Sequence, residues 1–242
     1  MIQRGLRQAP SITCGPPSVP GHTEIAGPNT GSPLQQRLRA SAQRVEEAAA
    51  QVTTLPNRIS LLLDSSGSMR GSKMENLKTA VNSFTQACDF CTTSIAVESF
   101  GRSPEVSLPL VNNAGLVQLE VNQLAAEGGT PLADAMERAL NNIPMTRAVI
   151  VSDGQADRPD DCEAFAGQYA KAGIPCDCVH IGESTAGEDL LKRIAELTGG
   201  IFMKFRESGN FAQAFKFLTP GFRALLTSGQ VDAQAIGATE IK

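Results

Sequence analysis

The chain has 242 residues and is 41% hydrophobic, which suits one sizeable α/β domain with extensions and not two complete domains. A net charge of −4, no Trp and a single Tyr (Tyr169) argue against the basic face and base-stacking platforms of a nucleic-acid binder. No apolar stretch approaches the ~20 residues that span a bilayer, and the start Met1-Ile2-Gln3-Arg4-Gly5-Leu6 lacks the apolar core of a secretory signal. The expectation is therefore a protein of the cytoplasm, or of a virion or other multisubunit particle, without membrane insertion.

Residues 1–33 form an arm rich in Pro, Gly, Ser and Thr with no sustained periodicity. Such a segment buries too little surface to offset its ordering entropy, so a neighbouring subunit is the natural candidate to hold it. Residues 34–56 read as an amphipathic helix and linker, with Leu34, Leu38, Val45, Ala48, Val52 and Leu55 along one side. This helix either packs along its own domain or oligomerises, although Ser41 in the seam makes a weak coiled coil.

The α/β domain is expected over residues 57–228, followed by a tail, 229–242. Ile59 to Leu63 reads as a core strand. A helix follows, opened by a Ser72/Glu75 capping-box pair and striped by Met74, Leu77, Val81, Phe84 and Cys88. Ser94 to Phe100 and Glu105 to Leu110 read as a hairpin around Gly101-Arg102-Ser103-Pro104, giving an antiparallel edge.

A short helix from Leu116 to Leu124 leads into Gly128-Gly129-Thr130-Pro131, behind which Leu132, Met136, Ala139, Leu140 and Ile143 mark another helix. Ala148 to Val151, Cys176 to Ile181 and Ile201 to Phe205 read as strands. Asp161 to Ala172 and Glu188 to Leu197 read as helices, the second stopped by Gly199-Gly200. A last helix, Phe211 to Leu226, is kinked or split at Pro220. Strands alternating with helices imply a doubly wound, mostly parallel central sheet with one antiparallel edge strand and helices on both faces, with sites at the carboxyl ends of the strands.

Six cysteines are too sparse for a disulfide scaffold, so a reduced chain is the simplest account. Cys88-Asp89-Phe90-Cys91 has no second pair at zinc spacing and reads as two thiols at a helix end. Cys176 and Cys178 alternate on one strand face, where a buried thiol acts as a small hydrophobe.

The chemistry gathers where strands end. Asp64-Ser65-Ser66-Gly67-Ser68 closes the first apolar strand, Thr130 opens a helix, and Asp153-Gly154 ends the strand Val149-Ile150-Val151-Ser152. Each alone has an ordinary reading: Asp, Ser and Gly form turns, Thr130-Pro131 is a good helix start, and Asp-Gly is a turn pair. Together they supply five oxygen ligands from three loops, the chemistry that Mg²⁺ or Mn²⁺ prefers. Neutral hydroxyls and only two carboxylates leave the ion residual positive charge, which a partner carboxylate would complete. Asp157, Asp160 and Asp161 read as a solvated loop and helix start, with the acids favoured by the helix dipole. Glu98 and Ser99 are left outside the site.

Enzyme signatures are absent from the sequence. There is no phosphate-cradling G-x-x-x-x-G-K-[ST], no G-x-G-x-x-G after the first strand, and no G-x-S-x-G elbow around Ser65, Ser66 or Ser68. His22 lies in the arm and His180 in a strand pattern. A phosphoaspartyl role for Asp64 lacks the second acid of a D-x-D pair, since Ser66 stands there.

Asp64, Ser66, Ser68, Thr130 and Asp153 resemble the metal-ion-dependent adhesion site of von Willebrand factor A-type domains, in family order and over roughly residues 57–228. The resemblance implies that Ser66, Ser68 and Thr130 are direct or near-direct ligands, while Asp64 and Asp153 act directly or through water. It implies a metal-dependent protein-protein interaction module, not an enzyme, in which Mg²⁺ or Mn²⁺ is completed by an Asp or Glu carboxylate of a protein partner. Two other readings stay open. One is a structural subunit of a larger assembly such as a phage virion, contacting neighbours through residues 1–55. The other, from resemblance alone, is an adaptor for an AAA+ ATPase, a chelatase or a stress-resistance system.

Overall fold

In a computed structural model of the chain, the structure describes residues 43, 47, 50–101, 107–154, 156–205, 215–220, 240 and 241. The arm 1–33, the turn residues 102–106 and much of the expected helix 211–226 lie outside the described residues, as does most of segment 34–56. At the end of that segment residues 50–54 are helical, and Val52 is buried with its carbonyl accepting the Ser94 hydroxyl at 3.2 Å.

Seven strands are described: β1 (Asn57–Asp64), β2 (Thr93–Phe100), β3 (Ser107–Val111), β4 (Arg147–Ser152), β5 (Cys176–Ile181), β6 (Phe202–Phe205) and β7 (Glu240–Ile241). They form one sheet in the order β3-β2-β1-β4-β5-β6-β7. The pairs from β2 through β6 are parallel, and β3 joins β2 antiparallel, as expected of the hairpin. The tail adds a second antiparallel edge that periodicity did not reveal, β7 on β6, because two residues carry no readable alternation.

Beyond the helical residues 50–54, the helices among the described residues are α1 (Ser72–Ala87), α2 (Ala114–Asn122), α3 (Leu132–Asn142), α4 (Pro159–Lys171) and α5 (Thr185–Thr198). β1, β2, β4 and β5 lie between two helical layers, which is why they read as nearly continuous apolar runs. Pleating sends Ile59, Leu61 and Leu63 to one face with Leu77, Phe84, Val97, Val149 and Val151. Leu62 goes to the other with Ala96, Ile150, Met136, Tyr169 and Ile194. Leu61, Leu62 and Leu63 are fully buried, each side chain stabilising the fold by about 1.5–3 kcal/mol relative to exposure. Cys176 and Cys178 share the second face, as the alternation predicts.

Two helix starts differ from their sequence reading. α1 is capped by Gly71 at φ 78°, with no side-chain cap, so Ser72 is the first helical residue and the capping-box reading fails. α3 begins after Pro131 with no side-chain cap either, so the Thr130 hydroxyl does not cap the helix behind it. α5 does carry a cap, Ser184 accepting from the Gly187 amide, and ends at Gly199 in the left-handed region. Cys91 is disulfide-bonded, which corrects the expectation of a wholly reduced chain, while Cys88, Cys162, Cys176 and Cys178 are free thiols.

The sheet order places the site. Chain connections run outward from β1 to β2 and β3 on one side, and from β4 to β5 and β6 on the other. The loops leaving β1 and β4 therefore diverge at the topological switch point, where an open α/β sheet leaves a crevice.

Candidate metal centre

Asp64 ends β1 beside Ser152, the last residue of β4, because the two strands run in register with Leu63 opposite Val151. Its carboxylate is fully buried, one oxygen accepting the Ser66 amide at 2.8 Å and the other the Ser152 hydroxyl. Burial raises its pKa above the ordinary carboxylate range, and the bonds from Ser152 and Ser66 oppose that rise. Asp64 therefore ties the ends of two strands together and fixes the direction of the first loop.

Gly101 lets this loop lie against β2. A Cβ there would stand 2.5 Å from the carbonyl carbon of Ser65, and its φ of 149° suits only glycine. The Ser65 amide and hydroxyl both donate to the Phe100 carbonyl, at 2.7 and 3.0 Å, so Ser65 is structural.

Of the next two serines, Ser66 is buried and Ser68 is exposed. Ser66 precedes a 3-10 turn, Gly67–Met69, without capping it, and its Oγ lies 2.9 Å from that of Ser68. Ser68 is exposed and donates to Asp153 Oδ1 at 2.7 Å. Ser66, Ser68 and Asp153 thus form one line of oxygens, buried at Ser66 and Asp153 and exposed at Ser68.

The second loop is stitched to the first by backbone: the Gly67 amide donates to Gly128 O at 3.0 Å and the Glu127 amide to Ser65 O at 2.7 Å. Thr130 is held from the third loop, its amide donating to Asp157 Oδ2 at 3.1 Å and its carbonyl accepting the Asp157 amide at 3.1 Å. A Cβ on Gly154 would meet Ser68 Oγ at 3.7 Å and Thr130 Oγ1 at 3.9 Å, so both hydroxyls border the same small space.

All five expected residues therefore meet on three adjoining loops at the switch point. Glu98 stands apart, taking the Ser107 hydroxyl and pairing with Arg138 at 3.5 Å. Asp160 and Asp161 sit in the first turn of α4, as expected, with Arg158 paired to Asp134 and Asp161. Asp157 is more than a solvated loop residue, since it positions Thr130. Its place in the loop that starts at Asp153 was the one available signal.

Lys73 was also missed. From the first turn of α1 its ammonium donates to Asp153 Oδ2 and, at 3.3 Å, to the Ser68 carbonyl. The Asp153 side chain is 1% exposed and that of Lys73 18% exposed.

Among the described residues, no three His, Cys, Asp or Glu side chains cluster as a metal site. An ion here would depend on the hydroxyls of Ser66, Ser68 and Thr130 beside Asp64 and Asp153, and on water or a partner for the rest of its shell. Such a mixed, all-oxygen set fits a hard cation.

Residues 59–155 match the family model of the von Willebrand factor type A domain. The fold is similar to that of the conserved hypothetical protein BatB from Bacteroides thetaiotaomicron, with TM-score 0.57, 14% identity, and coverage of 66% of this chain and 95% of that one. It is also similar to the vWF domain of the type V pili tip protein Mfa5 from Porphyromonas gingivalis, with TM-score 0.55, 14% identity, and coverage of 71% and 96%. A third similar structure is proximal thread matrix protein 1 from the mussel byssus, described with a zinc-occupied MIDAS motif. There the TM-score is 0.52 at 15% identity, covering 68% of this chain and 46% of that one. No curated protein matches in sequence.

Proposed function

This chain carries a von Willebrand factor A-type domain, and on that premise we propose that it is a divalent-metal-dependent protein-interaction module. Mg²⁺ or Mn²⁺ is held by Ser66, Ser68, Thr130, Asp64 and Asp153, and an Asp or Glu carboxylate of a protein partner completes its shell. The observation that supports this best is that the hydroxyls of Ser66 and Thr130 leave the adjoining helix starts uncapped and border one crevice with Asp153. Hydroxyls at helix starts ordinarily accept backbone amides, so their diversion is what a ligand site requires. The proposal is of a binding module and not an enzyme. Ser65 is bound to backbone, and burial pushes the Cys88 and Cys162 thiols up to about 12, far from a nucleophilic thiolate.

Thr130→Ala removes one proposed ligand while leaving the backbone bonds to Asp157 in place. Calorimetric titration should show Mg²⁺ or Mn²⁺ binding to the parent protein and a loss of about tenfold or more in the variant, comparable to losing one hydrogen-bonded oxygen at a charge. Capture of protein partners in Mg²⁺ and in EDTA then reads the second half of the proposal. Equal metal affinity in parent and variant sinks the ligand assignment, and a partner kept equally in EDTA sinks the metal bridge.

A further inference from the structure

We propose that Lys73 is the resident counter-ion of the metal-free site and competes with the divalent ion for Asp153. This rests on the metal reading above and assigns it a displacement step. The Asp153 carboxylate divides its two oxygens: Oδ1 accepts the Ser68 hydroxyl, in line with Ser66, and Oδ2 accepts the Lys73 ammonium. The same ammonium reaches the Ser68 carbonyl and passes over Gly182, where a Cβ would lie 3.9 Å from it. A cation of the chain itself therefore sits on the Asp153 carboxylate, between the loop after β1 and the loop after β5.

Burial gives this pair an asymmetry. Asp153 is nearly inaccessible and needs a positive neighbour, whereas the Lys73 side chain keeps 18% exposure to solvent. A lysine ammonium is a strongly hydrated point charge on a flexible stem, so it can withdraw into water at small cost once another cation takes its place. A divalent ion entering between Ser66, Ser68 and Thr130 would stand within a few ångströms of Nζ, and like charges at that distance repel. Binding is then an exchange of a monovalent for a divalent cation on Asp153. Lys73 keeps the loops assembled without metal and lowers the affinity of the bare site. The released ammonium stays at the rim, beside the position where a partner carboxylate would arrive.

The test compares the parent protein with Lys73→Met, which keeps the apolar stem without the charge, and Lys73→Arg, which keeps the charge. Free Mn²⁺ measured by electron paramagnetic resonance gives the affinities. Lys73→Met should bind Mn²⁺ about tenfold or more tightly than the parent, the scale of one unit charge removed at a few ångströms, while Lys73→Arg stays near the parent. Melting in EDTA should fall for Lys73→Met and recover with saturating Mn²⁺. In the unaltered protein, acetylation of Lys73 read by mass spectrometry should speed up when Mn²⁺ is added, which needs no variant to fold.

Equal or weaker Mn²⁺ binding by Lys73→Met, or Lys73 acetylation unchanged or slowed by Mn²⁺, overturns the exchange while leaving the metal site standing. Failure of all three proteins to bind Mn²⁺ overturns the metal reading and this inference with it.

Discussion

The two ends of β4 both bury charge, and they do so differently. At its amino end Arg147 donates to Asp177 Oδ2 at 2.7 Å and to the Leu218 carbonyl at 2.6 Å, while Asp177 Oδ1 accepts the Ile201 amide at 2.9 Å. Both side chains are nearly inaccessible, and strand, loop and 3-10 turn close around them. Just past its carboxyl end, Asp153 meets a rotatable serine hydroxyl and a lysine that reaches in from the surface. A rigid guanidinium fork enclosed by backbone acts as a staple. Hydroxyls and the ammonium of a side chain with 18% exposure form the arrangement in which the proposed exchange of partners would occur. Burial of charge alone therefore does not distinguish the two ends; the kind of partner does.

The largest expected effect breaks the staple. Arg147→Ala removes the guanidinium that pairs with the buried Asp177 carboxylate, so unfolding in urea should register a loss of about 3–5 kcal/mol. Any Mn²⁺-dependent stabilisation of the remaining fold should persist, because the metal end does not use Arg147. Loss of the metal effect without loss of stability would erase the distinction between the two ends.

A smaller effect is expected from Gly101→Ala, which forces a Cβ onto the Ser65 backbone at a φ that alanine rarely adopts. The cost should be about 1–3 kcal/mol. Because Ser65 leads directly into Ser66 and Ser68, metal affinity should fall with it. Stability lost with metal affinity retained would show that the loop tolerates displacement.

The smallest effect concerns a closed ion cluster. Lys192 and Lys204 donate to Glu188 at 2.7 and 2.6 Å and hold its carboxyl down at about 2, against an ordinary 4.5. A lowered carboxylate pKa means that its contribution is fully present above the ordinary value and is lost as pH falls from 4.5 through about 2. The stability difference between the parent and Glu188→Gln should shrink across that acidic window and stay flat above it. A difference that persists unchanged at the acid end would show that the carboxylate charge contributes nothing there.

Most of the strand pattern was legible because buried parallel strands are locally apolar, and β5, Cys176–Ile181, begins and ends where alternation placed it. The five expected ligands were readable as a group because each lies in a loop at the end of a readable strand or the start of a readable helix. Misreadings came where two local motifs compete for one residue. Ser72 and Glu75 have capping-box spacing, yet Gly71 reached the cap position first by adopting a backbone angle that other residues resist. β7 was illegible because its pairing lies entirely in its neighbour, β6.

What the sequence determined by itself is the class of fold and the inventory of oxygens, since apolar periodicity and turn residues act over a few neighbours. Only the tertiary structure decided how those oxygens are used. Whether Thr130 caps α3 or faces the crevice depends on Asp157, which approaches from another loop. Whether Asp153 stands alone or holds a cation depends on Lys73, brought to it by the packing of α1 beside the β1–β4 switch point. Hydrogen bonds and charge pairs between remote segments depend on distance in space, and that distance is set by strand order and register, which local pattern does not specify.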